Sequence, residues 1–203
     1  LGDVYKRQLP VATAIALVTT AVTLTIGAEE PYSAVIAMGV PAVAVLCSRA
    51  FNGSWLSTAG IAIYLGISAC FYTLFTGAVA LTIVSLIALA TCVAERTWLP
   101  AVRLAVIAVG SLAIAAIAWT PYVLGVLRAT APLESTAQHY LPEEGTQIPA
   151  PFLSLSVIGL ISIIGLVYLV IRIDEPDIRA MSTALVGAYL WTCLLYTSPS
   201  PRD

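Results

Sequence analysis

Charge is what this chain has least of. Asp, Glu, Lys and Arg make up 10% of its 203 residues, against 60% hydrophobic residues and a mean hydropathy of +0.96. Soluble domains carry about 25% charged residues, so the composition excludes a soluble domain of ordinary make-up. The few charges nearly cancel, to a net −2, which argues against a nucleic-acid partner. Histidine is reduced to one, His139. Cysteines 47, 70 and 92 sit in or beside apolar runs, and no pair has the spacing of a metal site. With no second histidine or nearby cysteine, zinc ligation at His139 is not specified, and neither is a Ser-His-acid arrangement. No internal repeat marks a transporter with inverted halves.

Both flanks stand apart. Residues 1–8, LGDVYKRQ, and 193–203, CLLYTSPSPRD, read as translations of one transposon-type sequencing adapter in opposite orientations. Two such matches are hard to reach by chance, and scars of this kind are excluded from fold reasoning. The natural insert is expected over residues 9–192, with no natural start or stop. Lys6, Arg7 and Arg202 therefore leave the charge argument, and Cys193 leaves the cysteine count.

What is present is a series of apolar runs, each near the ~20 residues a helix needs to cross the hydrocarbon of a bilayer. Seven segments can be drawn, at 9–28, 34–48, 56–70, 76–94, 103–120, 152–171 and from 181 onward. The fold class is all-α, a polytopic membrane helix bundle of six to seven transmembrane segments. The second and third segments are short. The third and fourth come from one long run, split at 70–76 (CFYTLFT), where aromatics interrupt small aliphatic residues. The alternative is a re-entrant element, which inverts all that follows.

Charge decides for the split. With it, loops 49–55, 95–103 and 172–180 share one side and carry Arg49, Arg96, Arg103, Arg172 and Arg179. The other side, with loops 29–33, 70–76 and 121–151, has Arg128 alone. This is a positive-inside pattern. It makes the arginine-rich side cytoplasmic, the chain a multi-pass plasma-membrane protein, and the loop 121–151 extracytoplasmic. The helices are rich in Ala, Val, Gly, Ser and Thr, which allow close approach and interhelical hydrogen bonds. Pro41 is expected to kink the second segment.

Three constellations and one arginine carry candidate chemistry, all on the outward side. Glu29-Glu30-Pro31-Tyr32 places two carboxylates at a helix end, where each raises the other's pKa. One can act as a base or bind a metal; the plainer reading is a solvated turn broken by Pro31. Trp119-Thr120-Pro121-Tyr122 is expected where a helix leaves the bilayer, as interface anchors or as an aromatic platform for a sugar ring or prenyl chain. Gln138-His139-Tyr140-Leu141-Pro142, followed by Glu143-Glu144-Gly145, puts a histidine that titrates near neutral pH beside carboxylates. It can hold a phosphate or sugar hydroxyl, or simply bond within its loop. Arg128 can pair with a lipid phosphate or snorkel to the headgroups.

These residues carry a resemblance. WTPYVLGVLRA followed by STAQHYLPEEG, then a proline-flanked helix and GAYLW, with EEPYSAVI and CFYTLFTGAVALTIV upstream in the same order, resembles the actinobacterial galactan arabinofuranosyltransferases, the AftA family. The likeness covers essentially the whole insert, and Gln138-His139-Tyr140-Leu141-Pro142 is its most specific part. It implies a GT-C-type glycosyltransferase core that takes arabinofuranose from decaprenylphosphoryl-arabinose, a polyprenyl-phosphate sugar donor embedded in membrane lipid. The acceptor implied is cell-wall galactan, at O5 of a galactofuranose, in arabinogalactan biosynthesis. In such enzymes the catalytic base lies in an early external loop, which this stretch lacks, as it lacks the family's C-terminal extracytoplasmic domain. No catalytic residue is therefore assigned, and the fragment alone is expected to be inactive. No cofactor is read from the chain, and a divalent metal stays open. Other readings are a GT-C transferase with a different sugar, or a polyprenyl-lipid transporter or flippase. Transport needs intramembrane charge, whereas every charge of the insert is expected in a loop or at a helix end.

Overall fold

The structure is a computed structural model that describes residues 31–128, 151–153 and 155–196. Within them all regular structure is helical. Helix α1 spans Pro31–Phe51, α2 Trp55–Phe71 and α3 Thr73–Ala78. A π-helical stretch, Val79–Val84, joins α3 to α4 at Ser85–Glu95. Helix α5 runs Leu99–Arg128, a 3₁₀ turn occupies Pro151–Leu153, α6 spans Val157–Ile171, and α7 spans Pro176–Tyr196. The termini follow ordinary capping chemistry. Ser54 accepts from the Ser57 amide at the start of α2, and Ser156 accepts from the Gly159 amide at the start of α6.

Side-chain contacts fix the direction of each helix. The Tyr64 hydroxyl donates to the Ile36 carbonyl, and Gly60 lies opposite Leu46, so α1 and α2 are antiparallel. Thr58 meets Arg103, Ala62 meets Gly110, Gly66 meets Ile114 and Ala69 meets Trp119, so α2 and α5 run in parallel. Helix α4 turns back into α5 through a short connection at Arg96–Trp98. The α3–π–α4 stretch therefore descends where α2 ascends. The run 56–94 is two antiparallel helical stretches that reverse at Tyr72, whose φ of −147° and ψ of 86° leave the helical region. Helix α7 starts where α1 and α4 end: the Ser48 hydroxyl donates to Asp177 at 2.6 Å, and Arg179 bonds Glu95 at 3.1 Å.

One end of the bundle thus gathers Arg49, Arg96, Arg103, Arg172 and Arg179, the grouping expected from the sequence. Three of those arginines are not in loops, however. Arg49 is in the last turn of α1, Arg103 in the second turn of α5 and Arg179 in the first turn of α7. For the latter two the physical reason is that Pro100 and Pro176 stand at helix starts, where a missing N–H costs nothing. A further correction concerns the start of the loop drawn at 121–151, beside Trp119-Thr120-Pro121-Tyr122. The helix does not end there but continues to Arg128, with Pro121 inside it. The Thr120 hydroxyl donates to the Ala116 carbonyl one turn back, a local bond within the helix just before the proline. Pro41 likewise sits inside α1.

Packing departs from that of a water-soluble bundle mainly at the surface. The core of Val43, Phe51, Ile61, Leu65, Val84, Ile87 and Ile107 also takes in Ser48, Ser57, Thr58, Ser68, Thr76, Thr91 and Arg103. Meanwhile Leu112, Ile117, Ile158, Ile161, Val167 and Ile171 lie exposed. Aliphatic groups outside and a few small polar groups inside suit a hydrocarbon solvent, where helices associate by packing rather than by hydrophobic burial. Close approach supplies that packing. A Cβ on Gly66 would fall 2.7 Å from Ile114, and one on Gly187 would strike the Thr82 carbonyl in the π-helical stretch. Thr73–Glu95 and Leu99–Arg128 are each long and apolar enough to cross a membrane; Ile36–Phe51, Trp55–Phe71 and Val157–Ile171 are shorter apolar helices.

Candidate functional site at the aromatic end of the bundle

The end opposite the arginines is aromatic. Helix α2 stops at Phe71, which leaves its last carbonyls without partners inside the helix. The Ala69 carbonyl recovers two, the Thr73 hydroxyl at 2.8 Å and the Trp119 indole N–H at 3.2 Å. Trp119 is therefore held in place by capping α2. Tyr122, one turn on, meets the Trp119 ring edge-on, with centroids 5.4 Å apart and an interplanar angle of 89°. Tyr72, at the chain reversal, stacks on Phe75 at 6.2 Å and 10°. Trp119 is 38% exposed and Tyr122 59%.

This geometry divides the roles of the two aromatics. Trp119 spends its N–H on the scaffold, whereas the Tyr122 hydroxyl has no partner among the described residues. Beside them Ala116, Val123 and Leu124 line a shallow apolar groove with Trp119 and Thr120. An apolar chain laid in that groove meets mainly aliphatic and aromatic carbon, and Tyr122 packs against the Trp119 ring that lines it. Arg128 stands in the last turn of α5, exposed and without a partner among the described residues. Nine residues beyond Trp119, it projects roughly 13 Å further along the helix axis.

Of the residues singled out in the sequence, the structure brings together Trp119 and Tyr122 and sets Arg128 beyond them on the same helix. Tyr32 lies in the first turn of α1. Glu29, Glu30, Gln138, His139, Tyr140 and Glu143 lie outside the described residues, as does most of the loop 121–151. Among the described residues no three His, Cys, Asp or Glu side chains come together as a metal site. Sequence reasoning missed Tyr72 and Phe75 as neighbours of this end, although the aromatics of CFYTLFT that justified the split were the available signal. It also missed Arg103, which is 5% exposed and donates to the Gly53 carbonyl at 2.8 Å and to the Thr58 hydroxyl at 3.4 Å. At the arginine end, hydrogen bonding and attraction from Glu175 push the Arg172 guanidinium still higher than its usual pKa, so it stays cationic.

Comparison with known proteins gives the geometry its context. The family model described as "Arabinofuranosyltransferase N terminal" matches residues 4–199. The chain is 48% identical over 194 residues to a galactan 5-O-arabinofuranosyltransferase of Corynebacterium glutamicum, covering 94% of this chain and 29% of the relative. Similar enzymes by name are found in Mycolicibacterium smegmatis, at 40% identity over 87% of this chain and 29% of the relative, and in Mycobacterium tuberculosis, at 30% over 89% and 30%. The chain thus spans less than a third of the length of these relatives.

Proposed function

The chain belongs to the arabinofuranosyltransferase N-terminal family, and on that premise we propose that it forms part of the membrane core of a transferase that moves arabinofuranose onto cell-wall galactan. The donor in this reading is decaprenylphosphoryl-arabinose. Its C1–O bond to phosphate breaks, a bond from C1 to the acceptor O5 forms, the proton of that hydroxyl passes to a base, and polyprenyl phosphate leaves. The observation that carries the reading is the polarity of the bundle. Arginines collect at one end, and the groove lined by Trp119, whose ring meets Tyr122, opens at the other. Positive-inside bias turns the aromatic end outward, in a bundle of six to seven spans, where a lipid-linked donor and a wall polymer can meet.

In this reading the prenyl chain lies along the apolar groove and Tyr122 meets the polar head of the donor. Arg128 then supplies a cation for the phosphate, a role its forked donors suit. Gln138, His139, Tyr140 and Glu143, with Glu29, Glu30 and Tyr32, are the further residues this reading assigns to substrate binding. The base is assigned to none of them. The test is transfer of labelled arabinose from decaprenylphosphoryl-arabinose to a galactan acceptor, in a full-length transferase carrying this segment. Arg128→Gln is expected to raise the donor KM about tenfold, the effect of losing one charge-assisted hydrogen bond. An unchanged KM would remove Arg128 from the donor site.

A transporter reading gains nothing from the one buried charge among the described residues. Arg103 is tied to the Gly53 carbonyl and to the Trp55 ring rather than set along a path.

A further inference from the structure

A second groove lies at the opposite, arginine-rich end, in the fork between α4 and α5. It has a volume of about 500 Å³. Leu89, Val93, Ala101 and Leu104 form apolar walls, and Arg96 and Trp98 stand at the rim. Three observations at the rim point the same way. Trp98 is 83% exposed, an amphipathic ring placed where its surroundings change from apolar to polar. Arg96 is exposed and has no partner among the described residues, while the adjacent carboxylate, Glu95, is taken by Arg179 at 3.1 Å. The guanidinium at the mouth is thus not neutralised by its own neighbour. Finally, Arg96 holds φ +49° and ψ +41° at the C-terminus of α4, a position usually given to glycine or asparagine.

We propose that this groove binds an anionic glycerophospholipid of the leaflet at the arginine end, with its phosphate on Arg96 and an acyl chain along Leu89, Val93 and Leu104. The inference rests on the membrane-spanning reading and is separate from the donor groove at Trp119, which lies at the other end of the bundle. Charge complementarity selects the occupant. A neutral lipid satisfies the apolar walls but carries no net charge to meet the unpaired guanidinium, whereas a lipid of net negative charge satisfies both. Arginine's fork suits phosphate oxygens, and one basic residue near a bilayer surface favours an anionic lipid about fivefold.

The experiment reads Trp98 directly. The full chain is reconstituted in phosphatidylcholine vesicles that carry either brominated phosphatidylglycerol or brominated phosphatidylcholine at equal mole fraction. The Trp98 contribution to the quenching is obtained by comparison with Trp98→Phe. The expected result is quenching about fivefold stronger with the anionic lipid. Arg96→Asn, which removes the charge but accepts the left-handed backbone, should bring the two lipids to parity. Arg96→Lys should keep part of the preference, and Arg49→Gln, an arginine of the same end outside the groove, all of it. Equal quenching by the two lipids would overturn the proposal and leave the membrane reading standing. So would a preference that survives Arg96→Asn, or one lost equally in Arg49→Gln. A Trp98 response to inorganic phosphate in vesicles without anionic lipid would also overturn it, as a site for free anion. Quenching by neither lipid would sink the membrane reading and the proposal together.

Discussion

The Arg103 guanidinium lies 3.6 Å from the centroid of the Trp55 ring, and the pair clamps the start of α5 to the start of α2. The same guanidinium donates to the Gly53 carbonyl in the α1–α2 turn, so one side chain ties three helices at the arginine end. An arginine buried without a carboxylate among the described residues is tolerable because two of its nitrogens donate, to Gly53 and Thr58, and its face lies on the Trp55 ring.

Arg103→Ala is therefore expected to destabilise the detergent-solubilised chain by about 2 kcal/mol, the scale of a charged hydrogen bond lost from a buried site. Trp55→Ala should show a coupling with it of about 1 kcal/mol, in the range of cation–π pairs. Thermal unfolding of the two single variants and the double variant measures both quantities. Additive losses would mean the stacking contributes nothing.

Gly187 tests the close approach of α7 to the π-helical stretch. Any side chain there meets the Thr82 carbonyl, which is backbone and cannot rotate away. Gly187→Val is expected to cost about 1–3 kcal/mol, as overpacking does. Gly165→Ala, with open space around it, should be neutral or slightly stabilising through helix propensity. Parallel melting curves would show whether the two glycines differ; equal effects would contradict the packing of α7 on Thr82.

Trp119 and Tyr122 should separate by assay. Trp119→Phe removes the indole donor to the Ala69 carbonyl, so it should lower stability by about 1 kcal/mol. Tyr122→Ala leaves that bond in place and should mainly raise the KM for the polyprenyl donor. A Tyr122→Ala enzyme with normal donor KM but reduced stability would move Tyr122 from the substrate groove to the scaffold.

Much of this arrangement is legible in the sequence. The reversal at Tyr72 follows from asking which placement of 56–94 gathers the arginines, since charge asymmetry records topology more faithfully than helix length. The extent of α5 is not legible in the same way. Trp119 and Tyr122 read as interface anchors, and Pro121 reads as a stop, yet a helix can carry proline when neighbouring hydroxyls and helices satisfy its backbone. The Trp119 bond to the Ala69 carbonyl holds this part of α5 against α2, and it is not visible from composition. Arg103 escapes for a related reason. Pro100 can break one helix or begin the next, and only the second choice puts Arg103 in a buried turn. The π-helical stretch at Val79–Val84 has no compositional mark at all. Of the candidate site, the aromatic pair and Arg128 are legible as a group, whereas the capping role of Trp119 depends on α2 lying alongside it.

Sidedness is open to chemical labelling. In a background with the native cysteines replaced by alanine, Gln138→Cys should react with a membrane-impermeant maleimide on intact cells. Asp174→Cys, exposed at the arginine end, should react only after permeabilisation. The reverse pattern would invert the bundle and place the aromatic groove on the cytoplasmic side.

The central claim, that this segment works as the membrane core of an arabinofuranosyltransferase, is tested most directly by exchange. Residues 9–192 would replace the matching segment of the Corynebacterium glutamicum relative, with which the chain shares 48% identity. The chimera would then be assayed in membranes lacking the endogenous enzyme. The account predicts arabinose transfer from decaprenylphosphoryl-arabinose to galactan, weakened by Arg128→Gln and Tyr122→Ala. A chimera that inserts and is retained in the membrane at normal levels yet transfers no arabinose would contradict it.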